Sequence, residues 1–243
     1  MMNSVLCRNL RRVNDEIAEA VIRGGRPIDS VKLIAVSKTR PAEVLAEAAQ
    51  AGQWVFGENR VQEALDKQVA LRSLSANMHP LEWHLIGHLQ SNKAKFVPAA
   101  FQWVHTIDSL ELAKRISDAA LKVRLVCNAL IQVNVADDPA KQGIESSELT
   151  PLIEAIHGAQ LGGLALRGLM TIGRLNATES EARQAFSGLR MLRDQVRESL
   201  GMAEFNELSM GMSGDFPLAI EEGATMIRVG SAIFGEREYP RAG

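Results

Sequence analysis

The 243-residue sequence predicts an α/β protein, a (β/α)8 barrel of the TIM type with an extra N-terminal helix. Eight short apolar segments alternate along the chain with eight stretches of helical spacing. The length matches the ~250 residues typical of such a barrel, and no linker or composition break marks a domain boundary. We therefore expect a single domain over residues 1–243, with residues 1–25 forming a helix that packs on the barrel.

The main alternative is an open, doubly wound sheet. That fold needs a glycine-rich phosphate fingerprint after its first strand. The first predicted strand is followed by Lys-Thr-Arg-Pro at residues 38–41, which contains no glycine. The barrel is therefore the better interpretation.

The first half of the chain predicts a helix followed by four strands with helices between them. Apolar residues in the segment 5–22 lie on one helical stripe, and Gly24 and Gly25 end that helix. The β-branched run at 31–36 predicts the first strand, and Pro41 suits the first turn of the next helix. The other predicted elements are helix 41–51, strand 54–57, helix 59–71, strand 82–86, short helix 91–96, strand 103–107 and a helix from the caps Asp108 or Ser109 to about residue 121.

The second half repeats this alternation. Thr178 and Glu181 match a capping box that opens a long helix ending near residue 200. The predicted strands are 126–135, 164–172, 207–210 and 225–229. The predicted helices are 147–157, 178–200, a helix that ends at 222 and a helix from 231.

Composition excludes several classes of protein. A net charge of −2 offers no broad attraction to nucleic acid or to an anionic membrane. The N-terminus lacks the apolar core of a signal peptide, and no segment approaches the ~18–20 apolar residues of a membrane span. Cys7 and Cys127 are too few and too far apart for a disulfide or metal framework. We expect a cytoplasmic protein in a reducing compartment, with no nucleic acid, membrane or metal as partner.

Lys38 lies at the C-terminal tip of the first predicted strand, on the edge where barrels bind ligands. Its amine is either a nucleophile or a charge that reaches solvent at the rim. The loops after strands seven and eight contain Gly-Met-Ser-Gly at 211–214 and Gly230 with Ser231. Barrels frequently bind phosphate with this pair of loops, although each glycine also suits an ordinary turn.

An amine and a phosphate site on one barrel face indicate a phosphorylated carbonyl compound, and pyridoxal phosphate is such a compound. A lysine normally holds it as a Schiff base. Arg228 has the same strand parity as Gly230, so it can point into the same mouth. An arginine that donates to the pyridine nitrogen requires that nitrogen to be unprotonated. The alternative for Arg228 is an ion pair with Glu221 or Glu222.

Two other kinds of site are disfavoured. His84 and His88 have the four-residue spacing of a helical zinc site, but they fall on a predicted strand whose register Gly87 breaks. Ser213 lies in a glycine-containing turn that lacks the second glycine of a hydrolase nucleophile elbow.

The chain resembles the pyridoxal phosphate homeostasis proteins, single-domain relatives of the alanine racemase barrel, over nearly its whole length. The resemblance rests on six ordered motifs, at residues 35–39, 56–59, 83–93, 168–170, 208–213 and 228–235. It implies that Lys38 carries the pyridoxal phosphate aldimine, that Asn59 lies beside the cofactor and that Arg228 faces the pyridine nitrogen. It also implies that Ser213, Gly230 and Ser231 hold the phosphate.

The resemblance also implies what the protein lacks. Alanine racemase completes its chemistry with a tyrosine from a second domain, whereas the only tyrosine of this sequence is Tyr239. We therefore expect no second domain and a non-enzymatic, monomeric protein that binds pyridoxal phosphate in cellular homeostasis of this cofactor, with pyridoxal-dependent apoenzymes as candidate partners. The alternative is a pyridoxal phosphate-dependent racemase or lyase that uses Lys38 as one base and a histidine or Asp108 as another.

Overall fold

Eight parallel strands form a closed barrel in which each strand pairs with the next along the chain. The computed structural model describes residues 4–74, 79–135, 142–174 and 176–236. Pairing of β8 with β1, which places Ile34 opposite Arg228, closes the barrel and confirms the predicted fold class. The strands are β1 (Lys32–Val36), β2 (Val55–Glu58), β3 (Glu82–Leu85), β4 (Trp103–Ile107), β5 (Cys127–Gln132), β6 (Leu164–Met170), β7 (Glu207–Ser209) and β8 (Met226–Val229).

Helices cover the outside of the barrel, and most of the buried apolar side chains lie between them and the strands. None of the helices in the described ranges combines the length and apolarity needed to cross a bilayer. The α-helices are α1 (Val5–Arg23), α2 (Ala42–Gln50), α3 (Val61–Leu74), α4 (Val97–Ala100), α5 (Leu110–Lys122), α6 (Leu149–Gly158), α7 (Glu179–Leu200), α8 (Phe216–Glu221) and α9 (Ser231–Phe234), with 3-10 helices at Ser91–Phe96 and Ser146–Glu148.

Helix α1 precedes the barrel in the chain and packs against α8 and α9. The Ser4 side chain caps the helix by accepting a hydrogen bond from the Cys7 N–H. Asn9 Nδ2 donates to the Ile233 carbonyl at 3.0 Å, and Arg23 Nε pairs with Glu221 Oε1 at 2.7 Å. The helix is therefore attached to α8 and α9, next to the loops after β7 and β8.

Two of the differences between the structure and the predicted bounds have a clear local cause. The short helix at 91–96 is a 3-10 turn that continues into α4, because Pro98 in the first turn of α4 has no N–H for an α-helical bond. The fifth strand ends at Gln132 rather than near residue 135, and a single bridge from Val133 to Ile144 follows it.

The barrel interior contains both an apolar cluster and a row of polar side chains. Ile34, Leu130, Met170 and Met226 form the buried apolar cluster. Beside them runs a hydrogen-bonded series that we call the polar column, which consists of Glu82, His84, His105, Ser209 and Arg228. The column extends from the N-terminal end of β3 to Arg228 below the loops that follow the strands.

Candidate functional site

A cavity of about 730 Å³ opens at the C-terminal ends of the strands. Its walls come from the loops after β1, β2, β7 and β8, with apolar side chains Val36, Ile86 and Ile172 below them. All six of the predicted site residues line this cavity, namely Lys38, Asn59, Ser213, Arg228, Gly230 and Ser231.

Lys38 stands in a tight turn directly after β1. Ser37 N–H donates to the Gly57 carbonyl at 3.0 Å, and Arg40 N–H turns back to the Ser37 carbonyl at 3.0 Å. Thr39 has a φ of 66°, a left-handed conformation that is unfavourable for a β-branched residue. The strained turn holds the half-buried Lys38 at the cavity wall rather than on the outer surface.

A buried ion-pair network supports this turn from behind. Lys67 Nζ lies 2.6 Å from Glu58 Oε1, 2.6 Å from Glu63 Oε1 and 2.8 Å from the Ser37 carbonyl. Glu58 also accepts from Ser37 Oγ at 2.7 Å, and Glu63 accepts from the Thr39 N–H at 2.5 Å. Both residues that flank Lys38 are therefore tied to the Lys67 network.

Burial affects the two carboxylates of this network differently. It raises the pKa of Glu58, although hydrogen bonds from Lys67 and Ser37 oppose the shift. Glu63 is less deeply placed, so hydrogen bonds from Lys67 and the Thr39 N–H outweigh burial and lower its pKa. Glu58 Oε2 is buried with no hydrogen-bond partner in the described part of the chain.

The loops after β7 and β8 form the opposite side of the cavity. Ser213 Oγ accepts from the Gly230 N–H at 3.2 Å and from the Ala232 N–H at 3.4 Å. Gly211 has a φ of 91°, and an added Cβ would overlap Ala219, so this turn requires glycine. Small residues, a hydroxyl group and backbone N–H groups are thus concentrated in one place.

Arg228 lies at the floor of the cavity as the upper end of the polar column. Only 5% of the residue is exposed. Its Nη1 donates to Ser209 Oγ at 2.7 Å and its Nη2 donates to the Thr171 carbonyl at 2.8 Å. Burial lowers the pKa of Arg228 to about 10, with the charge of Asp215 opposing the shift.

The alternative ion pair of Arg228 with Glu221 or Glu222 is wrong. Glu221 pairs with Arg23 and Arg183, at 2.7 Å in each case. Glu222 pairs with Arg183 at 3.4 Å and with Arg190 at 3.2 Å. Glu221 ends α8 and Glu222 follows it, and both pair with arginines of α1 or α7, whereas the alternation along β8 turns Arg228 inward.

Asn59 follows β2 and borders the same cavity. Gly87, after β3, packs so closely against it that an added Cβ would overlap backbone atoms of Asn59. Gly87 therefore positions Asn59, a role that the sequence pattern did not indicate. Arg40 was also missed: its Nη2 donates to the Gly235 carbonyl at 2.6 Å and joins the β1 loop to the segment after α9.

The candidate second bases lie elsewhere. Asp108 is 4.0 Å from His88, and neither belongs to the described lining of the cavity. His84 points into the barrel interior while His88 is exposed, so the two do not converge. The described ranges contain no cluster of three metal-binding side chains, and Tyr239 lies outside those ranges.

Comparisons with known proteins agree with this geometry. Residues 10–238 match the family model of the alanine racemase N-terminal domain. A pyridoxal phosphate homeostasis protein of Escherichia coli is 44% identical, in an alignment that covers 99% of this chain and 100% of that protein. PipY of Synechococcus elongatus, solved with pyridoxal phosphate bound, is 40% identical over 90% of this chain and 100% of its own, with a TM-score of 0.77.

An alanine racemase of Clostridium difficile shares the fold alone. It is 17% identical with a TM-score of 0.67, over 97% of this chain and 58% of that enzyme. The more similar matches, which also cover nearly the whole of the matched proteins, carry the assignment: this chain belongs to the family of pyridoxal phosphate homeostasis proteins.

Proposed function

We propose that this protein binds pyridoxal phosphate in the Lys38 cavity, as a Schiff base on Lys38, and serves intracellular homeostasis of that cofactor without robust catalytic turnover. The observation that carries the proposal is the convergence of an amine, a buried arginine and a small-residue loop pair on one cavity of about 730 Å³. The PipY structure with pyridoxal phosphate bound supports the choice of ligand.

The donor set fits the three functional groups of this ligand. Pyridoxal phosphate supplies an aldehyde that condenses with a primary amine with loss of water, a phosphate, and a ring nitrogen that accepts a hydrogen bond. Lys38 is the amine in the cavity wall. Ser213, Gly230 and Ser231 supply hydroxyl and backbone N–H donors for phosphate oxygens, and Asn59 borders the space beside the ring.

Arg228 suits the ring nitrogen because it only donates hydrogen bonds. The described ion pairs include no carboxylate within 4.0 Å of the Arg228 guanidinium. Its charge therefore lies at the cavity floor without a direct counter-ion. An arginine in this role keeps the ring nitrogen unprotonated. A neutral ring withdraws electrons poorly, which supports binding rather than turnover.

The other titratable groups of the cavity support the same conclusion. Apart from Lys38 and Arg228, the described lining contains Arg40 and the exposed Glu236. A guanidinium has no acceptor with which to serve as a base, and His84, His88 and Asp108 are absent from the described lining of the cavity. We further propose that the protein is a single-domain cytoplasmic monomer and that it delivers the cofactor to pyridoxal-dependent apoenzymes.

Borohydride reduction tests the attachment site. The purified protein, incubated with pyridoxal phosphate and reduced, should carry a stable adduct on the peptide that contains Lys38. Lys38→Ala should abolish the adduct, whereas Lys114→Ala, at an exposed position of α5, should retain it. An undiminished adduct in the Lys38→Ala protein would contradict the proposal.

A separate measurement tests the absence of turnover. The loaded protein is incubated with L-amino acids in deuterated water, and exchange of the α-proton is followed by NMR. We expect exchange close to that of pyridoxal phosphate alone. Exchange at ordinary enzymatic rates, about 1 s⁻¹ or faster, would support the racemase or lyase alternative instead.

A further inference from the structure

The polar column joins Arg228 to a carboxylate at the other end of the barrel. Arg228 Nη1 lies 2.7 Å from Ser209 Oγ, and Ser209 Oγ lies 2.9 Å from His105 Nδ1. His105 Nε2 lies 2.8 Å from His84 Nδ1, and His84 Nε2 lies 2.7 Å from Glu82 Oε1. Four hydrogen bonds therefore link the cavity floor to Glu82, through three side chains that are fully buried.

The donor and acceptor capacities of the side chains indicate which atom carries each proton of the column. Arg228 only donates, so Ser209 accepts from it, and the one hydroxyl proton of Ser209 is then available for His105 Nδ1. The ionised Glu82 only accepts, so His84 must carry its proton on Nε2 and accept at Nδ1 from His105 Nε2. The Glu82 end thus sets the arrangement for neutral rings, with each imidazole protonated on Nε2, and the Arg228 end is compatible with it.

The surroundings favour this state. Burial lowers the pKa of both His84 and His105. Hydrogen bonding and charge from Glu82 oppose the shift at His84, and the positive charges of Arg228 and Lys32 add to the shift at His105. Glu82 stays ionised, because hydrogen bonds from His84 and Lys32 outweigh its burial and lower its pKa to about 2. Asp215 is the remaining charged group that acts on the column, at its Arg228 end.

We propose that Ser209, His105 and His84 are positioning residues, which orient Arg228 toward the ring nitrogen of the ligand by linking its guanidinium to the Glu82 carboxylate. This inference rests on the proposed function, because it gives Arg228 a ligand to face. Every hydrogen bond of the column is donated in the direction from Arg228 to Glu82, so the four bond dipoles add along the column. The Glu82 carboxylate at the far end does not line the cavity.

NMR of the protein without added ligand tests the column directly. Histidine side chains are labelled with ¹⁵N and ¹³C, and their ring signals are assigned through bonds from the backbone of the wild-type protein. We expect both imidazoles to be neutral at pH 7, with the proton on Nε2. A charged ring, or a proton on Nδ1 of either histidine, would overturn the proposal even if no column variant folds.

Three substitutions break the column at different points. Glu82→Gln removes the distant charge and keeps an acceptor, His105→Gln removes the acceptor for Ser209, and His105→Asn removes the donor to His84. We expect each to shift the absorption band of bound pyridoxal phosphate and to weaken its binding by about fivefold, the value of one net hydrogen bond. His157→Gln, at an exposed position of α6, is the matched control and should change neither quantity.

The outcomes separate the two proposals. A wild-type absorption band in the Glu82→Gln protein would overturn the long-range role, because Glu82 does not line the cavity. If the wild-type protein forms no borohydride-fixed adduct, the proposed function fails, while the NMR tautomers still decide whether the column is ordered as described.

Discussion

The Ser213 hydroxyl and the Gly230 N–H lie 3.2 Å apart and join the loop after β7 to the loop after β8. The same hydroxyl accepts from the Ala232 N–H at 3.4 Å, so one side chain holds both loops of the proposed phosphate site together. Both loops must be in place before their donors can bind the same phosphate group.

Ser213→Ala should therefore weaken binding of pyridoxal phosphate by roughly tenfold, because a hydrogen bond to a charged group is lost with the link between the loops. Fluorescence titration with pyridoxal phosphate measures the dissociation constant. Ser187→Ala, which removes a hydroxyl bonded to the Gln184 carbonyl on α7, is the control and should bind normally. Equal affinities of the two variants would place the phosphate elsewhere.

Arg228→Gln should change the absorption band of the bound ligand while a reducible adduct still forms on Lys38. The reason is that glutamine cannot hold a positive charge beside the ring nitrogen, whereas the attachment and phosphate groups are untouched. Arg190→Gln removes a guanidinium that pairs with Glu222 on the outer surface, so its spectrum should match wild type. An unchanged spectrum for Arg228→Gln would remove this arginine from the ligand site.

Lys67→Met should lower the free energy of unfolding by about 3–5 kcal/mol at neutral pH, because it leaves the buried Glu58 charge uncompensated. The pKa of Glu58 is already raised in the fold, and loss of Lys67 raises it further. Stability that depends on a protonated Glu58 is lost as pH rises. The difference in free energy of unfolding between wild type and the Lys67→Met protein should therefore be larger at pH 8 than at pH 5. Urea unfolding at both pH values measures it.

The matched control for this substitution is Arg115→Met. Arg115 pairs with Glu111 at 2.6 Å on the surface of α5, and such exposed pairs contribute under ~1 kcal/mol. A similar loss of unfolding free energy in both variants would mean that the buried Lys67 network contributes no more to stability than an exposed ion pair. The Lys67→Met protein should also bind pyridoxal phosphate more weakly, because Ser37 and Thr39 on either side of Lys38 lose their support.

Acid should destabilise the fold through the two histidines of the polar column. Burial lowers the pKa of His84 and His105, so the unfolded chain binds protons at a pH where the folded protein does not. Stability is present above the unfolded pKa of about 6.5 and falls as pH drops below it, because the unfolded chain then gains protons that the buried histidines do not. The His84→Gln protein should lose less stability than wild type in urea unfolding between pH 7 and 5.5.

Gly87→Ala should both destabilise the protein and weaken ligand binding, because the added Cβ would displace the backbone of Asn59. Gly188 is the control: it lies within α7, and a Cβ there meets nothing within 4 Å. Gly188→Ala should raise the free energy of unfolding by about 0.5–1 kcal/mol, since alanine loses less backbone entropy in a helix. Thermal unfolding and ligand titration of both proteins distinguish the two effects.

The choice of Asn59 rests on the family resemblance, whereas periodicity places the strands and the loops that contain Lys38 and Ser213. Barrel closure brings these loops together whatever their separation in sequence. The inward direction of Arg228 followed from its parity with Gly230. These inferences used local pattern and one global rule, so they needed no knowledge of side-chain contacts.

The supporting networks could not be predicted in the same way. Lys67 lies on a helix whose charge pattern resembles an ordinary solvated face, and only the tertiary packing places it against Glu58. His84 and His105 have inward parity, but their mutual contact depends on rotamers and on how far the strands are staggered. The bounds of β5 were also overestimated, because its apolar residues continue beyond the last ladder position at Gln132.

Each inner member of the polar column donates one hydrogen bond and accepts one, and this reciprocity restricts how the protein can evolve. Replacing His84, His105 or Ser209 alone leaves a buried donor or acceptor unsatisfied on at least one neighbour. We therefore expect these three residues to be replaced together. The replacements would be either polar side chains that donate hydrogen bonds in the same direction or apolar side chains that form no hydrogen bonds. The barrel interior should accordingly change in concerted steps, whereas its outer helices can drift one residue at a time.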